Sequence, residues 1–204
     1  IKVINKYGEK LDDKTTELIE AYLNGNLGQL GIYGDDLPLA RRERVGCIVD
    51  YVSGRNRYIG YLISIASHSY RDLKIGLDCA NGASWMIAKA VFDALGAQTV
   101  LIGNQPDGLN VNNGCGSTHI DKLAALVKEQ HLDVGFAFDG DADRCLAVDE
   151  NGKIVDGDCI MYILAQRLKS RGVLNDNTVV ATVMSNSGFI SSLTKAGINC
   201  VKTK

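Results

Sequence analysis

Three aspartates at alternate positions, followed by an arginine, close an apolar run in the stretch Asp133-Val-Gly-Phe-Ala-Phe-Asp139-Gly-Asp141-Ala-Asp143-Arg144. Three like charges within five residues repel one another. A loop tolerates them best when a cation sits among them. Asp139, Asp141 and Asp143 are therefore candidate ligands of a divalent metal, and Mg²⁺ is the expected ion. Mg²⁺ takes six oxygens in octahedral geometry, so three carboxylates leave positions for water and a phosphate oxygen. An ion held in this way acts as a Lewis acid on a phosphoryl group. Arg144 could add a bidentate contact to phosphate or to a neighbouring carboxylate. Its simpler role is a local ion pair that holds the loop.

Other readings compete. Aspartates after a strand are commonly turn formers and helix caps, which suffices for Asp107-Gly108, Asp149 and Asp156-Gly157-Asp158. An EF-hand would use Asp139, Asp141 and Asp143 at loop positions one, three and five and Glu150 at twelve. Arg144 then stands where the sharp turn needs Gly, and the flanks read as strands, so this reading fails. A haloacid-dehalogenase-type phosphatase also ends an apolar strand in alternating aspartates, the first a nucleophile. Here Asp143 replaces the expected Thr, and two βα units precede the loop; it stays as an alternative.

The elements around the loop alternate. Lys74–Cys79, Thr99–Ile102 and Asp133–Phe138 read as strands, with helices at Ser84–Leu95, closed by Gly96, and Thr118–Gln130, where Thr118-x-x-Asp121 resembles a capping box. This βαβαβ series predicts an α/β fold with a mainly parallel sheet. Beyond the loop, Cys145–Val148 and Lys153–Val155 flank Glu150-Asn151-Gly152, a hairpin pattern. A helix over Cys159–Leu168, capped by Asp156-Gly157-Asp158, precedes a strand at Thr178–Met184, a helix at Gly188–Lys195 and a strand at Ile198–Lys202. Ahead of the series, Ile1–Ile4 reads as a strand end, Thr15–Leu23 as a helix and 24–34 as a linker. Residues 35–66 read as mostly helical with a break at Gly54. Trp85 and Met86–Leu95 read as core.

The 204 residues are 46% hydrophobic and 23% charged, with a net charge of -2. The densest basic patch, Arg41-Arg42-Glu43-Arg44, reads as a solvated face, so a nucleic-acid partner is not expected. No apolar run approaches the roughly 20 residues of a membrane span, and no membrane partner is expected. The six cysteines have no zinc-knuckle spacing. Cys79, Cys145, Cys159 and Cys200 lie in apolar stretches and read as buried thiols, consistent with a reducing, cytoplasmic location. The chain does not open on Met, and Ile198–Lys204 reads as an unfinished strand, so a segment of a longer protein is expected.

Asp139-Gly-Asp-Ala-Asp-Arg144 resembles the metal loop of the α-D-phosphohexomutase superfamily, where Gly usually stands at the Ala142 position. Asp78-Cys-Ala-Asn-Gly-Ala83, Leu109-Asn-Val-Asn112, Cys115-Gly-Ser-Thr-His119, Val155-Asp-Gly-Asp158 and Thr182-Val-Met-Ser-Asn-Ser-Gly188 agree in order and spacing with its phosphoglucosamine mutase branch. The resemblance implies one complete α/β domain at 41–149 ending in the metal loop. Partial domains flank it at 1–40 and 150–204. It implies interconversion of glucosamine 6-phosphate and glucosamine 1-phosphate through a phosphoserine and a bisphosphate sugar, with Mg²⁺ on the three aspartates. The partner is then a phosphorylated amino sugar; phosphomannomutase/phosphoglucomutase activity is the neighbouring alternative, and a non-catalytic metal-binding α/β module the alternative of another class. The family's serine is expected ahead of Ile1-Lys2, and Ala66-Ser67-His68 lacks its Asn-Pro context. By the same resemblance Lys2 and Arg144 are catalytic candidates, Lys2 as a general acid or base; a solvated lysine at a strand end is the alternative. Asn112, Ser117 and Thr118 form a polar loop after a strand, suited to ligands or to helix capping. His119 and His131 fit no ligand pattern, and the oligomeric state stays open.

Overall fold

A computed structural model describes residues 3–31, 40, 42–47 and 49–203. The chain divides into two compact units, Ile1–Tyr51 and Val52–Lys204. In the first, Ile4 and Lys10 form an antiparallel bridge around a turn, and α1 spans Asp13–Leu23. The Asp12 carboxylate accepts from Thr15 N–H at 2.9 Å. This cap satisfies an otherwise orphaned donor and starts the helix two residues ahead of the apolar pattern. Leu27–Leu30 and Arg42–Arg44 are 3₁₀ turns.

The second unit opens with α2, Val52–Ile65. Among the described residues the α-helix expected over 35–66 is thus confined to Val52–Ile65, while 32–39, 41 and 48 lie outside them. Gly54 does not break α2. It is the third residue, where a glycine's cost of about 1 kcal/mol is tolerated.

The alternating series folds as expected. β1 (Lys74–Asp78), β2 (Gln98–Ile102), β3 (Val134–Phe138), β4 (Cys145–Asp149) and β5 (Ile154–Val155) form one sheet in the order β2-β1-β3-β4-β5. β1 pairs in parallel with both β2 and β3, while β4 and β5 add antiparallel strands. The Asn151-Gly152 hairpin between them is held by the Asp149 carboxylate, which accepts from Asn151 N–H and Lys153 N–H. Helix α3 (Ile87–Ala94) follows β1, and α4 (Asp121–Glu129) follows β2. Strand alternation sends Ile75, Leu77 and Cys79 into one core cluster with Ala88 of α3. Leu123 and Val127 of α4 pack with Ala137 and Val148 in a second. Past β5 lie α5 (Gly157–Ser170), β6 (Thr178–Thr182), α6 (Ser187–Lys195) and β7 (Asn199–Thr203). β6 and β7 pair in parallel as a separate sheet, with Ala165, Phe189 and Leu193 in its core.

Four local expectations are corrected. Trp85 and Met86 are 40% and 38% exposed, because Ala83–Met86 winds as a 3₁₀ turn whose tighter period turns them out of the α3 core stripe. Thr118 does not cap α4; the cap position is Ile120, without a side-chain bond. The backbone before it is committed elsewhere, Ser117 N–H to Phe138 O and His119 N–H to Gly116 O. Cys145 and Cys159 are exposed, whereas Cys115 joins Cys79 in burial. Cys159 lies on α5, which buries only Ala165, and Cys145 opens β4 beside the exposed aspartate loop. Finally, β6 ends at Thr182, leaving Val183 and Met184 exposed in the following loop.

Candidate metal centre

Successive connections from β1 and β2 run to opposite sides of β1, which leaves β1 and β3 as neighbours. Such a switch of strand order opens a crevice beyond the carboxyl ends of the strands, where α/β sheets gather ligands. Three loops meet there, following β1, β2 and β3. Asp78, fully buried at the end of β1, ties two of them: its Oδ1 accepts from Ala80 N–H at 2.9 Å and its Oδ2 from Gly116 N–H at 2.7 Å. Asn112 N–H donates to Ala80 O at 2.9 Å, and Ala83 N–H to Gly140 O at 2.8 Å. The loops after β1 and β3 are in such close contact that a Cβ on Gly82 would lie 2.2 Å from Gly140 O. Only glycine fits.

Within the loop after β3, Asp139 is the anchor. It is 2% exposed. Its Oδ1 accepts from Arg144 N–H at 3.1 Å and its Oδ2 from Arg144 Nε at 2.7 Å. Ala142 N–H closes the turn on Asp139 O at 3.0 Å, with Ala142 itself left-handed at φ 60°. A side chain there costs roughly 1–2 kcal/mol that glycine avoids, so the surrounding bonds hold the turn. Burial pushes the Asp139 carboxyl up, but the backbone N–H and guanidinium of Arg144 outweigh it and hold it below the usual carboxylate range. The same pair raises Arg144 above its ordinary value.

Asp141 and Asp143 are exposed, yet each offers a carboxylate oxygen such that the three aspartate oxygens lie within 4.8 Å of one another. Around Mg²⁺, with bonds of about 2.1 Å, ligand oxygens are about 3.0 Å apart when adjacent and about 4.2 Å when opposite. The three residues are close enough for one such ion to draw together. A buried anchor, two solvent-facing carboxylates and a pre-ionised oxygen suit a hard divalent cation that keeps part of its water.

The predicted ligands Asp139, Asp141 and Asp143 are thus brought together, and Arg144 is placed beside them as the ion-pair partner of Asp139. Lys2 lies outside the described residues. His119 and His131 are exposed. Two residues of this edge went unassigned by pattern. Asp78 closes an apolar strand before Asn81-Gly82, much as Asp139 does before Gly140, and that likeness was its signal. Asn112, grouped with a polar loop, carries a buried side-chain oxygen without a hydrogen-bond partner, which no local pattern marks.

Comparison with known proteins agrees with this architecture. The phosphoglucomutase/phosphomannomutase alpha/beta/alpha domain II model matches residues 56–152, and the domain III model of the same family matches residues 156–204. Proteins named phosphoglucosamine mutase from Lachnospira eligens and Lachnoclostridium phytofermentans are 53% and 52% identical to the chain, over 204 and 203 residues. Each alignment takes in 100% of the chain but 44% of the relative, so the chain spans under half the length of these proteins. A solved phosphoglucomutase/phosphomannomutase family protein from Burkholderia thailandensis superposes with a TM-score of 0.63 at 26% identity, covering 74% of this chain and 33% of that one. By its sequence across both matched domains and by its fold, the chain belongs to the phosphoglucomutase/phosphomannomutase family.

Proposed function

We propose that the chain is part of a phosphosugar mutase that interconverts glucosamine 6-phosphate and glucosamine 1-phosphate through a phosphoserine and a bisphosphate sugar, with Mg²⁺ on Asp139, Asp141 and Asp143. One observation carries the reading: in a chain of this family, three aspartate oxygens lie within 4.8 Å of one another at the switch of strand order. The relatives' shared name supports the amino sugar as substrate over the neighbouring phosphomannomutase/phosphoglucomutase activity. In this reading residues 41–149 form the complete domain, flanked by partial domains at 1–40 and 150–204. A cytoplasmic location fits, and no helix among the described residues is long and apolar enough to cross a membrane.

The bound ion would supply Lewis-acid stabilisation of phosphoryl oxygens. The chain's own residues do the rest. Arg144 keeps Asp139 ionised and fixed by its Nε and its backbone N–H. Asp139 accordingly serves as a ligand rather than as the nucleophile of a haloacid-dehalogenase-type site, for it is 2% exposed and both oxygens are engaged. Asp141 and Asp143 present the exposed half of the coordination sphere, where phosphate and water enter. Arg144, with its side chain 68% exposed, is positioned to add a cationic contact to the phosphate. Lys2 is a general acid or base candidate in the same scheme.

The test uses the complete protein, assayed with glucosamine 6-phosphate, mannose 6-phosphate and glucose 6-phosphate at saturating Mg²⁺. The amino sugar should be turned over with the highest kcat/KM, and Asp141→Asn should weaken Mn²⁺ binding by at least about tenfold and depress turnover while preserving the fold. Preference for mannose 6-phosphate would select the neighbouring activity. Metal binding without turnover of any of the three would select a non-catalytic metal-binding module.

A further inference from the structure

Asp139 sits between two backbone carbonyls, and each is gripped by a different loop. Ser117 N–H, in the loop after β2, donates to Phe138 O at 2.8 Å. Ala83 N–H, where the loop after β1 enters its 3₁₀ turn, donates to Gly140 O at 2.8 Å. The two arms of this clamp share one root. Asp78 is fully buried at the end of β1. Its Oδ2 accepts from Gly116 N–H at 2.7 Å, immediately before Ser117, and its Oδ1 from Ala80 N–H at 2.9 Å, where the other loop starts. The fit leaves no slack at Gly116: a Cβ there would lie 2.6 Å from Phe138 O and 2.6 Å from Ala80 Cβ. Asn81 also bridges the two loops, but its bonds fall on Gln105 N–H and Asn110 O, away from Ser117 in sequence.

A buried carboxylate that accepts from two loop N–H groups is by itself ordinary, since buried donors must find partners. Its placement argues for more. The Asp139 oxygens are tied to Arg144, so where they stand relative to Asp141 and Asp143 follows the backbone on either side. Mg²⁺ demands near-ideal octahedral geometry, and groups that hold its ligands in place are felt as affinity. We propose that Asp78 is a positioning residue of the metal centre: through the loops after β1 and β2 it fixes the carbonyls on both sides of Asp139, and with them the buried ligand. This rests on the metal reading above. Coupling is reciprocal, so an ion on the three aspartates must tighten the same clamp.

The experiment titrates Mn²⁺ into the full chain, following free Mn²⁺ by electron paramagnetic resonance. Asp78→Asn keeps the size of the side chain and one acceptor, and sets an amide donor against the N–H that loses its partner. It should weaken Mn²⁺ binding about tenfold, the lower end for groups that act behind the ligands. Ile75→Ala, buried on the same strand, destabilises the sheet through a core cavity and should bind Mn²⁺ as wild type does. Wild type supplies a second readout that needs no variant. In amide exchange followed by NMR, saturating Mg²⁺ should slow the Ala83 and Ser117 N–H groups about tenfold more than the amides of β6, the same factor by reciprocity. Equal Mn²⁺ affinity in wild type and Asp78→Asn, with Asp141→Asn weakened, would overturn the proposal alone. So would equal losses in Asp78→Asn and Ile75→Ala, which would tie affinity to stability rather than position, and so would Mg²⁺ protection no greater at Ala83 and Ser117 than in β6. A chain whose Mn²⁺ binding is indifferent to Asp141→Asn would overturn the metal reading and the proposal with it.

Discussion

Gly82→Ala tests whether the loop after β1 sets the position of the metal loop. The new Cβ would lie 2.2 Å from Gly140 O, 2.7 Å from Gly140 Cα and 2.8 Å from Gly140 C. All three are backbone atoms of the aspartate loop, so no rotamer change relieves the contact; the two loops must separate by about 1 Å to reach ordinary van der Waals distance. Overpacking of this kind costs about 1–3 kcal/mol. The separation also stretches the 2.8 Å bond from Ala83 N–H to Gly140 O, a further loss of about 0.5–1.5 kcal/mol. The sum, roughly 2–4 kcal/mol, corresponds to a fall in Tm of about 5–15 °C for a unit of this size. Gly140→Ala is the matched control. Its Cβ would meet Val111 Cγ1 at 2.5 Å and Asn112 Nδ2 at 3.0 Å, which are side-chain tips that can yield, so its stability loss should be the smaller. Differential scanning calorimetry of the metal-free chain with a parallel Mn²⁺ titration checks both. Gly82→Ala with an unchanged Tm, or a larger loss in Gly140→Ala, would refute the inference that backbone contact between these loops fixes the site.

Asp78→Ala should destabilise the chain by roughly 2–5 kcal/mol in urea unfolding, because Ala80 N–H and Gly116 N–H both lose their buried acceptor. Asp156→Ala should cost about 1 kcal/mol as a lost cap of α5. The bonds from the Cys159 N–H and thiol hold the Asp156 carboxyl below its ordinary value. Its contribution is therefore present above the unfolded carboxylate pKa of about 3.9 and lost as pH falls through the lower folded value. Asp156→Ser, which caps without titrating, should show a shallower acid limb in the same pH series. Calorimetric Mg²⁺ titrations at pH 7 in two buffers of different ionisation enthalpy should give equal heats, since Asp139 is already ionised; a buffer-dependent heat would show that the loop gives up protons on binding.

The alternating βαβαβ order, the Asn151-Gly152 hairpin and the end of β3 were legible because each depends on neighbours in sequence. The apolar period ends at Phe138 where the charges begin, and the strand ends there too. The closeness of three carboxylates at i, i+2 and i+4 was also local. What escaped was set at a distance. Asp78 reaches Gly116 across 38 positions, and that bond, with Ser117 N–H on Phe138 O, draws the segment before α4 onto the strand ends and denies Thr118 its cap. Trp85 looked like core because its apolar neighbours continue into α3, but the 3₁₀ turn before the helix changes the phase. Gly54 interrupts otherwise helical apolar spacing and read as a break, one that α2 ignores.

The charge of the loop explains how repulsion and order coexist in it. Three carboxylates and one guanidinium leave a net charge of two negative units in Asp139–Arg144, the charge one divalent ion cancels. Arg144 does not spread its influence evenly. Its Nε sits 2.7 Å from Asp139 Oδ2 but 3.9 Å from Asp143 Oδ1. The buried carboxylate, which would suffer most from an unpaired charge, is neutralised within the fold, while the repulsion that remains is carried by Asp141 and Asp143 in solvent, where water screens it. The loop can therefore hold its shape without an ion, and in the proposed reading an ion would be drawn by the two carboxylates that the fold leaves unburied. A buried triad would need the metal in order to fold, and a wholly exposed one would have no fixed geometry to offer. Splitting the three between core and surface would give the proposed metal site a geometry formed in advance and still open on the side where a phosphate would have to enter.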